Sequence, residues 1–394
     1  MSDKKIKSLY ITFNGLMDPL GQSQVLPYIE DLSKNGIEFY LISLEKSKAK
    51  EKIKKLRIKL ESLGIKWYRL KYFKCYLLGM ALNIFQSFLL SFYLVPVKKI
   101  KVIHARAYTP LFSVLLLKKI FKTKIIFDMR GFWPEELVDS RRIKAKSIYY
   151  KILKFLEKKS ILLSDWIITL TPEAKEIIEE KFKVKNVEWM PTCVDESKFE
   201  KIKQISFDDK FVVVYAGSLW SYYNMSAMAD FFVALKSKIK NAHFLILGNN
   251  ETERLNKLFL EKGIKNNDYT VLTLSPEEVP NYLSSCDMAI SFIYDMYSKK
   301  AAFPTKIAEY LMAGLPVVIN GQTDFLKDLV DKNNIGIVIE NPDKTNFEEQ
   351  IEDLNSLLED KDIKLRCKKI AQDYLGKKVC VDKYWEIYRD LNKR

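Results

Sequence analysis

Histidine is scarce in this 394-residue chain: only His104 and His243 occur, far apart. A metal centre of clustered imidazoles is therefore not expected. The five cysteines (Cys75, Cys193, Cys286, Cys367 and Cys380) are scattered, odd in number and never spaced as C-x-x-C. That predicts reduced thiols in a cytosol, not a disulfide framework or a zinc site. No Asp-x-Asp stands at the end of an apolar run, where it could hold a metal–diphosphate. Asp360-Lys361-Asp362 lies in a charged helical stretch and reads as a solvated face. No catalytic metal and no cofactor are expected. A short-period repeat and a low-complexity tract are also missing. Met1–Lys7 is polar and basic, without the apolar region and small-residue cleavage site of a signal peptide.

Acidic residues are short in the first half. Residues 1–200 hold 38 Lys+Arg against 22 Asp+Glu, so the net charge of +15 arises there. A one-sided basic surface suits a polyanion, either nucleic acid or anionic lipid, although a lysine-rich proteome gives the same excess with no partner. No recognition helix or interleaved basic–aromatic platform is present, so nucleic acid is not expected. Charge is missing altogether from Leu77–Val97, 21 residues, long enough to span a bilayer. Gly79, Asn83, Gln86, Ser87, Ser91 and Pro96 interrupt that stretch. The expectation is a helix packed in the first domain; a helix on the membrane surface and a true span are the alternatives.

What is present is an alternation of short β-branched apolar runs with longer helical stretches. The runs are Ile6–Phe13, Phe39–Leu44, Lys101–Ala107, Lys124–Met129, Asp165–Thr171 and Val187–Pro191. A second series follows at Phe211–Gly217, His243–Gly248, Tyr269–Leu274, Met288–Ile293, Pro316–Asn320 and Ile335–Glu340. Helix-like stretches between them include Gln22–Lys34, Lys48–Leu63, Ala145–Leu163 and Asn224–Ile239. This predicts an α/β fold with two doubly wound, Rossmann-like parallel sheets. The expected divisions are residues 1–195, residues 196–378, and a final helix, 379–394, whose Tyr384, Trp385 and Tyr388 form a stripe that returns to the first domain. Ligand sites of such domains lie just beyond the carboxyl ends of the strands.

Four constellations stand at those places. Phe303–Val318 reads as a helix begun at Pro304 and ended by Gly314 and Pro316, then a buried strand. Its N-terminus, at Pro304, Thr305 and Lys306, is an anion site. Lys306 opposes the helix dipole there, at about 0.3–1 kcal/mol, which a bound diphosphate would offset. Glu309 shares its face and can accept both hydroxyls of a ribose; otherwise both residues face water. The second, Asn14–Gln24, contains Gly15, Asp18, Gly21 and Gln22 in a turn that lets backbone approach a ligand. The third, Phe127–Glu136, crowds Asp128 and Arg130 at a strand end; Arg130 suits a phosphate, or the two form a structural pair. The fourth, Tyr215–Asn224, places Gly217 and Ser218 after a strand. His104 and Arg106 end a further strand, where a lone histidine is more often structural.

Taken in their order along the chain, the four stretches resemble the retaining glycosyltransferases of family 4 (group 1), which have the GT-B fold. Glu309 matches the second acid of that family's Glu-x7-Glu pair, while Ala301 stands at the first. The D-P-L-G-Q-S-Q loop is similar to the form of one subgroup. The family's histidine falls at Met129 or Arg130. Ser218 takes the place of its arginine, and Tyr223 or Asn224 that of its lysine. The resemblance implies that Glu309 binds the donor ribose, that Pro304, Thr305, Lys306, Gly217 and Ser218 meet the donor, and that Gly15, Asp18, Gly21 and Gln22 meet acceptor or sugar-phosphate. Arg130 and Asp128 are the expected catalytic residues. The implied function is metal-independent transfer of a sugar, with retention, from a nucleotide donor to a saccharide or lipid-linked acceptor in cell-surface glycan biosynthesis. The alternatives are a non-catalytic GT-B scaffold and a sugar-nucleotide epimerase. The expected place is the cytoplasm, peripheral at the inner membrane face.

Overall fold

The computed structural model describes residues 5–47, 49–220, 222–248, 252–321 and 323–393. The expectations that touch Met1–Lys4, Lys48 and Ser221 lie outside these residues. The chain divides into two compact units. The first comprises Met1–Pro191, Ala301–Phe303 and Lys377–Arg394; the second comprises Thr192–Lys300 and Pro304–Gly376.

The first unit holds a parallel sheet of β1 (Ile6–Thr12), β2 (Ile37–Glu45), β3 (Lys66–Lys71), β4 (Val102–Arg106), β5 (Lys124–Asp128), β6 (Trp166–Thr169) and β7 (Val187–Trp189), in the order β3-β2-β1-β4-β5-β6-β7. The second holds β8 (Phe211–Ala216), β9 (Ala242–Leu247), β10 (Tyr269–Leu272), β11 (Met288–Ser291), β12 (Val317–Asn320) and β13 (Gly336–Ile339), in the order β10-β9-β8-β11-β12-β13. The central strands are apolar and almost wholly buried, as a sheet covered on both faces requires. Strand order reverses beside β1 and β8, so each unit has a switch point next to its first strand.

The apolar-run reading missed one strand. Lys66–Lys71 (KWYRLK) sits at the sheet edge and alternates exposed with covered residues, so it carries charge where an inner strand carries valine or isoleucine. The reading of five reduced cysteines is also corrected. Cys75, Cys286 and Cys367 are free, whereas Cys193 and Cys380 are each in a disulfide.

The helix Lys377–Lys393 belongs to the first unit. Its Tyr384 and Tyr388 are buried there, edge-on to Tyr28 and Phe39 with ring centroids 5.8 Å apart in both pairs. The long helix Tyr76–Lys98 also belongs to this unit, but only 33% of its most apolar window is buried.

Candidate functional site

In the second unit the chain leaves β8 at Ala216 and turns at Gly217, whose φ of +126° suits glycine. A Cβ there would lie 3.0 Å from the Lys306 Nζ. Lys306 is in the first turn of the helix Thr305–Met312, with Pro304 at the N-cap. It does not face water. Its ammonium is buried between two tyrosines, 3.9 Å from the Tyr215 ring centroid and 3.6 Å from that of Tyr223. It has no hydrogen-bond partner among the described residues. Burial pushes its pKa well below the usual lysine range, with only partial opposition from Glu309. The two ring faces stabilise the cation but cannot accept its N–H bonds as an oxyanion would. An unpartnered buried ammonium at a helix N-terminus has the donors and the charge that an oxyanion would satisfy.

Glu309 follows one turn later and is half-buried. Burial raises its carboxyl pKa, and Lys198 and Lys306 partly oppose that. Its carboxylate accepts no protein hydrogen bond among the described residues, so both oxygens are open to a diol. Ser218 is exposed; its carbonyl accepts the Tyr215 hydroxyl and its own hydroxyl donates to the Trp220 carbonyl. Asn224 caps the helix Met225–Lys238 by accepting from the Ala227 N–H, so it carries no charge to the site.

Two further cations here escape sequence reading. Arg254 lies 3.7 Å above the Trp220 ring and Lys299 3.3 Å above the Tyr222 ring. The 215–223 loop thus offers aromatic faces to three cations from distant positions. Beside it, a cavity of about 430 Å³ is lined by Trp220, Tyr223, Met225, Arg254, Lys257 and Tyr294, among others, a volume that suits a small molecule.

In the first unit the strand ends hold a second cluster. Arg106 ends β4 and Asp128 ends β5, paired in register. Arg130 adopts φ +60°, a left-handed conformation that is strained for a bulky residue. The Gln24 Oε1 accepts from Arg106 at 2.6 Å and from Arg130 at 3.0 Å, and the Asn14 Oδ1 accepts from Arg106 at 2.9 Å. Asp128 lies 3.7 Å from the Arg130 Nη1 and 3.9 Å from the His104 Nε2, and accepts from the Tyr384 hydroxyl at 3.4 Å. Burial would raise its pKa, but Arg130, His104 and Arg106 more than offset that and hold it below the usual carboxylate range. Burial lowers the His104 pKa against the pull of Asp128, so the ring is neutral near pH 7, and its Nδ1 lies 2.8 Å from the Tyr388 hydroxyl. Two guanidiniums and one carboxylate leave this strand edge cationic. Arg106, Asn14 and Gln24 belong to it, although only Arg130 and Asp128 are expected from sequence.

The Asn14–Gln24 loop explains its residues internally. The Glu45 carboxylate accepts from the Leu16 N–H at 2.6 Å and the Ser43 hydroxyl at 2.7 Å. Asp18 accepts from the Gly15 N–H at 3.3 Å and Lys46 at 2.8 Å, and the Gln22 amide donates to the Leu16 carbonyl. A Cβ on Gly21 would fall 2.1 Å from the Gly15 carbonyl oxygen. These glycines let the loop fold on itself. The residues that reach the arginines are Asn14, which accepts from Arg106, and Gln24, which accepts from both.

Residues 23–198 match the family described as Glycosyltransferase Family 4, and residues 196–374 match Glycosyl transferases group 1. An uncharacterized glycosyltransferase of Haemophilus influenzae is 25% identical over 219 residues, 55% of this chain and 59% of that one. The match thus spans little more than half the length of the curated relative. A glycosyltransferase from Rickettsia africae has a solved structure similar at TM-score 0.73, with 14% identity and 99% of each chain covered. Anabaena HepE, solved in complex with UDP and glucose, is similar at TM-score 0.67, with 12% identity, covering 99% of this chain and 100% of that one. The chain is built from glycosyltransferase domains of the GT-B group 1, family 4 type.

Proposed function

We propose that this chain transfers a sugar from a nucleoside-diphosphate donor to a saccharide or lipid-linked acceptor of cell-surface glycan synthesis, with retention and without a metal. The observation that carries the reading is Lys306, a buried ammonium with no hydrogen-bond partner at a helix N-terminus. The diphosphate would take its N–H bonds and those of the first-turn amides of Thr305 and Lys306. Glu309 would accept the ribose hydroxyls. The loop at Gly217–Ser218 leaves room beside the ammonium, and HepE supplies a precedent of the same fold with UDP bound.

In the reaction, the bond from the anomeric carbon to the β-phosphate oxygen breaks as the acceptor oxygen bonds to that carbon on the same face. The acceptor proton passes to the departing phosphate. Charge therefore grows on the leaving group, where a fixed ammonium and helix amides are most effective. Metal independence is part of the proposal: Lys306 supplies the countercharge. In the first unit, Arg130 and Arg106 form the cationic strand edge toward an anionic group of acceptor or donor, and Asp128 holds Arg130 in place.

The test is donor turnover in chelator. Purified protein is given candidate nucleotide sugars with a lipid extract, and free nucleoside diphosphate and product anomeric configuration are measured. Acceptor-dependent diphosphate release with retention supports the reading. Isomerised donor formed without acceptor identifies an epimerase instead, and absence of nucleotide binding identifies a scaffold.

A further inference from the structure

We infer that the outer face of the helices Tyr76–Lys98, Leu115–Phe121 and Ile148–Leu163 is a docking surface for an anionic lipid bilayer. The first of these helices is amphipathic in the inverse sense. Gly79, Asn83, Ser87 and Ser91 recur every fourth residue and are buried. Leu78, Leu82, Phe85, Leu89 and Phe92 follow a 4-3-4-3 spacing and are exposed, Phe85 at 57% and Leu89 at 51%. The inner face is held by polar bonds: Asn83 exchanges two hydrogen bonds with the Phe73 backbone, and the Gln86 amide donates to the Lys71 carbonyl at 2.7 Å. Leu94 and Val95 near its C-terminal end join the core of the unit, whereas the exposed apolar row from Leu78 to Phe92 has no such cover.

The neighbouring helices extend the face. Phe92 meets Phe121 at 5.3 Å between ring centroids, and Lys118 donates to the Leu163 carbonyl at 2.7 Å, which ties the three helices side by side. Leu116 and Ile120 are exposed on the second helix, and Ile148, Ile152, Phe155 and Leu162 on the third. Asp165 pairs with Lys118 and Glu135 with Lys154, but the exposed charge on these three helices has one sign. The first two helices contain no acidic residue, and the single acid of the third, Glu157, is buried against Lys154. Lys119, Lys151, Lys158 and Lys159 are exposed.

Apolar residues whose exposed charged neighbours on the same helices are lysines fit a bilayer that offers hydrocarbon and anionic headgroups together. A second copy of the chain would set lysine against lysine. A span is disfavoured because the first helix packs its polar face on its own unit. The surface uses none of the donor-site residues, so the two readings can fail separately.

The full chain is floated with vesicles of phosphatidylcholine alone and with added phosphatidylglycerol, at low and high salt. Phe85→Glu/Leu89→Glu is compared, with circular dichroism to establish folding and a nucleotide thermal shift to report the donor site. Expected are flotation with anionic vesicles, weakening in salt, and roughly tenfold or greater loss of binding in the variant, whose fold and nucleotide response persist. No flotation of the folded wild-type chain overturns the proposal. So does flotation that the variant retains, or a concentration-dependent dimer that the variant disperses.

Discussion

Lys306 shows how a residue can be chemically demanding yet stable in place. Burial disfavours its charged form, and no protein oxygen compensates. A bound diphosphate would favour that form. Over the range from the depressed pKa up to the ordinary lysine value, binding then takes up a proton, so donor affinity falls as pH rises. Calorimetry in buffers of different ionisation enthalpy reads this uptake directly. Because the folded pKa lies below the unfolded one, the charged lysine opposes folding at neutral pH. Lys306→Met is expected to keep or raise the melting temperature while weakening donor binding by about 1.5–3 kcal/mol, the loss of a charge-assisted contact.

Asp128 is the reverse case. Its depressed pKa contributes stability above the ordinary aspartate range, and that contribution is lost as pH falls through the folded value. Asp128→Asn leaves Arg130 and Arg106 without their nearest carboxylate. The expected loss is about 3 kcal/mol in urea denaturation, together with a shallower acid limb in the stability–pH profile. An unchanged midpoint would show that the carboxylate does not hold this edge together.

At the scale of elements, both sites stand where parallel strands end, and that much is legible in the sequence. The valine- and isoleucine-rich runs mark twelve of the strands, and Pro304 and Gly314 bracket the helix that carries Lys306 and Glu309. The partners are not legible. Tyr215 and Tyr223 enclose Lys306 from far upstream, and Gln24 joins Arg106 and Arg130 across three segments. Such contacts follow from sheet order, which periodicity does not encode. The glycine-rich Asn14–Gln24 turn is read from sequence as open to ligand, whereas its glycines serve its own closure. Gly21→Ala is therefore expected to destabilise by about 1–3 kcal/mol through the clash with the Gly15 carbonyl, measured by thermal or urea unfolding. An unperturbed melt would show that the loop has slack.

At the scale of the molecule, charge composition already distinguishes the two halves. The basic excess lies in residues 1–200, and the first unit carries the lysine-rimmed apolar face. The second unit holds 22 Lys+Arg against 28 Asp+Glu and is net acidic, yet it concentrates aromatic-backed cations beside the end of β8. Uncharged Leu77–Val97 reads from sequence as a packed helix because a long apolar run ordinarily seeks a core. Its polar residues turn inward instead, an orientation that composition alone cannot assign. Glu309→Ala should weaken binding of ribonucleotide donors by about 1–3 kcal/mol and leave deoxyribose analogues less affected, as calorimetry would show.

The most direct test of the account is calorimetric titration of the chain, in chelator, with UDP-, GDP-, ADP- and dTDP-sugars, repeated with Lys306→Met. Binding of one nucleotide family, abolished or strongly weakened in a variant that melts no lower than the parent, is the predicted result. Equal binding by parent and variant would contradict the assignment of Lys306 as the diphosphate cation.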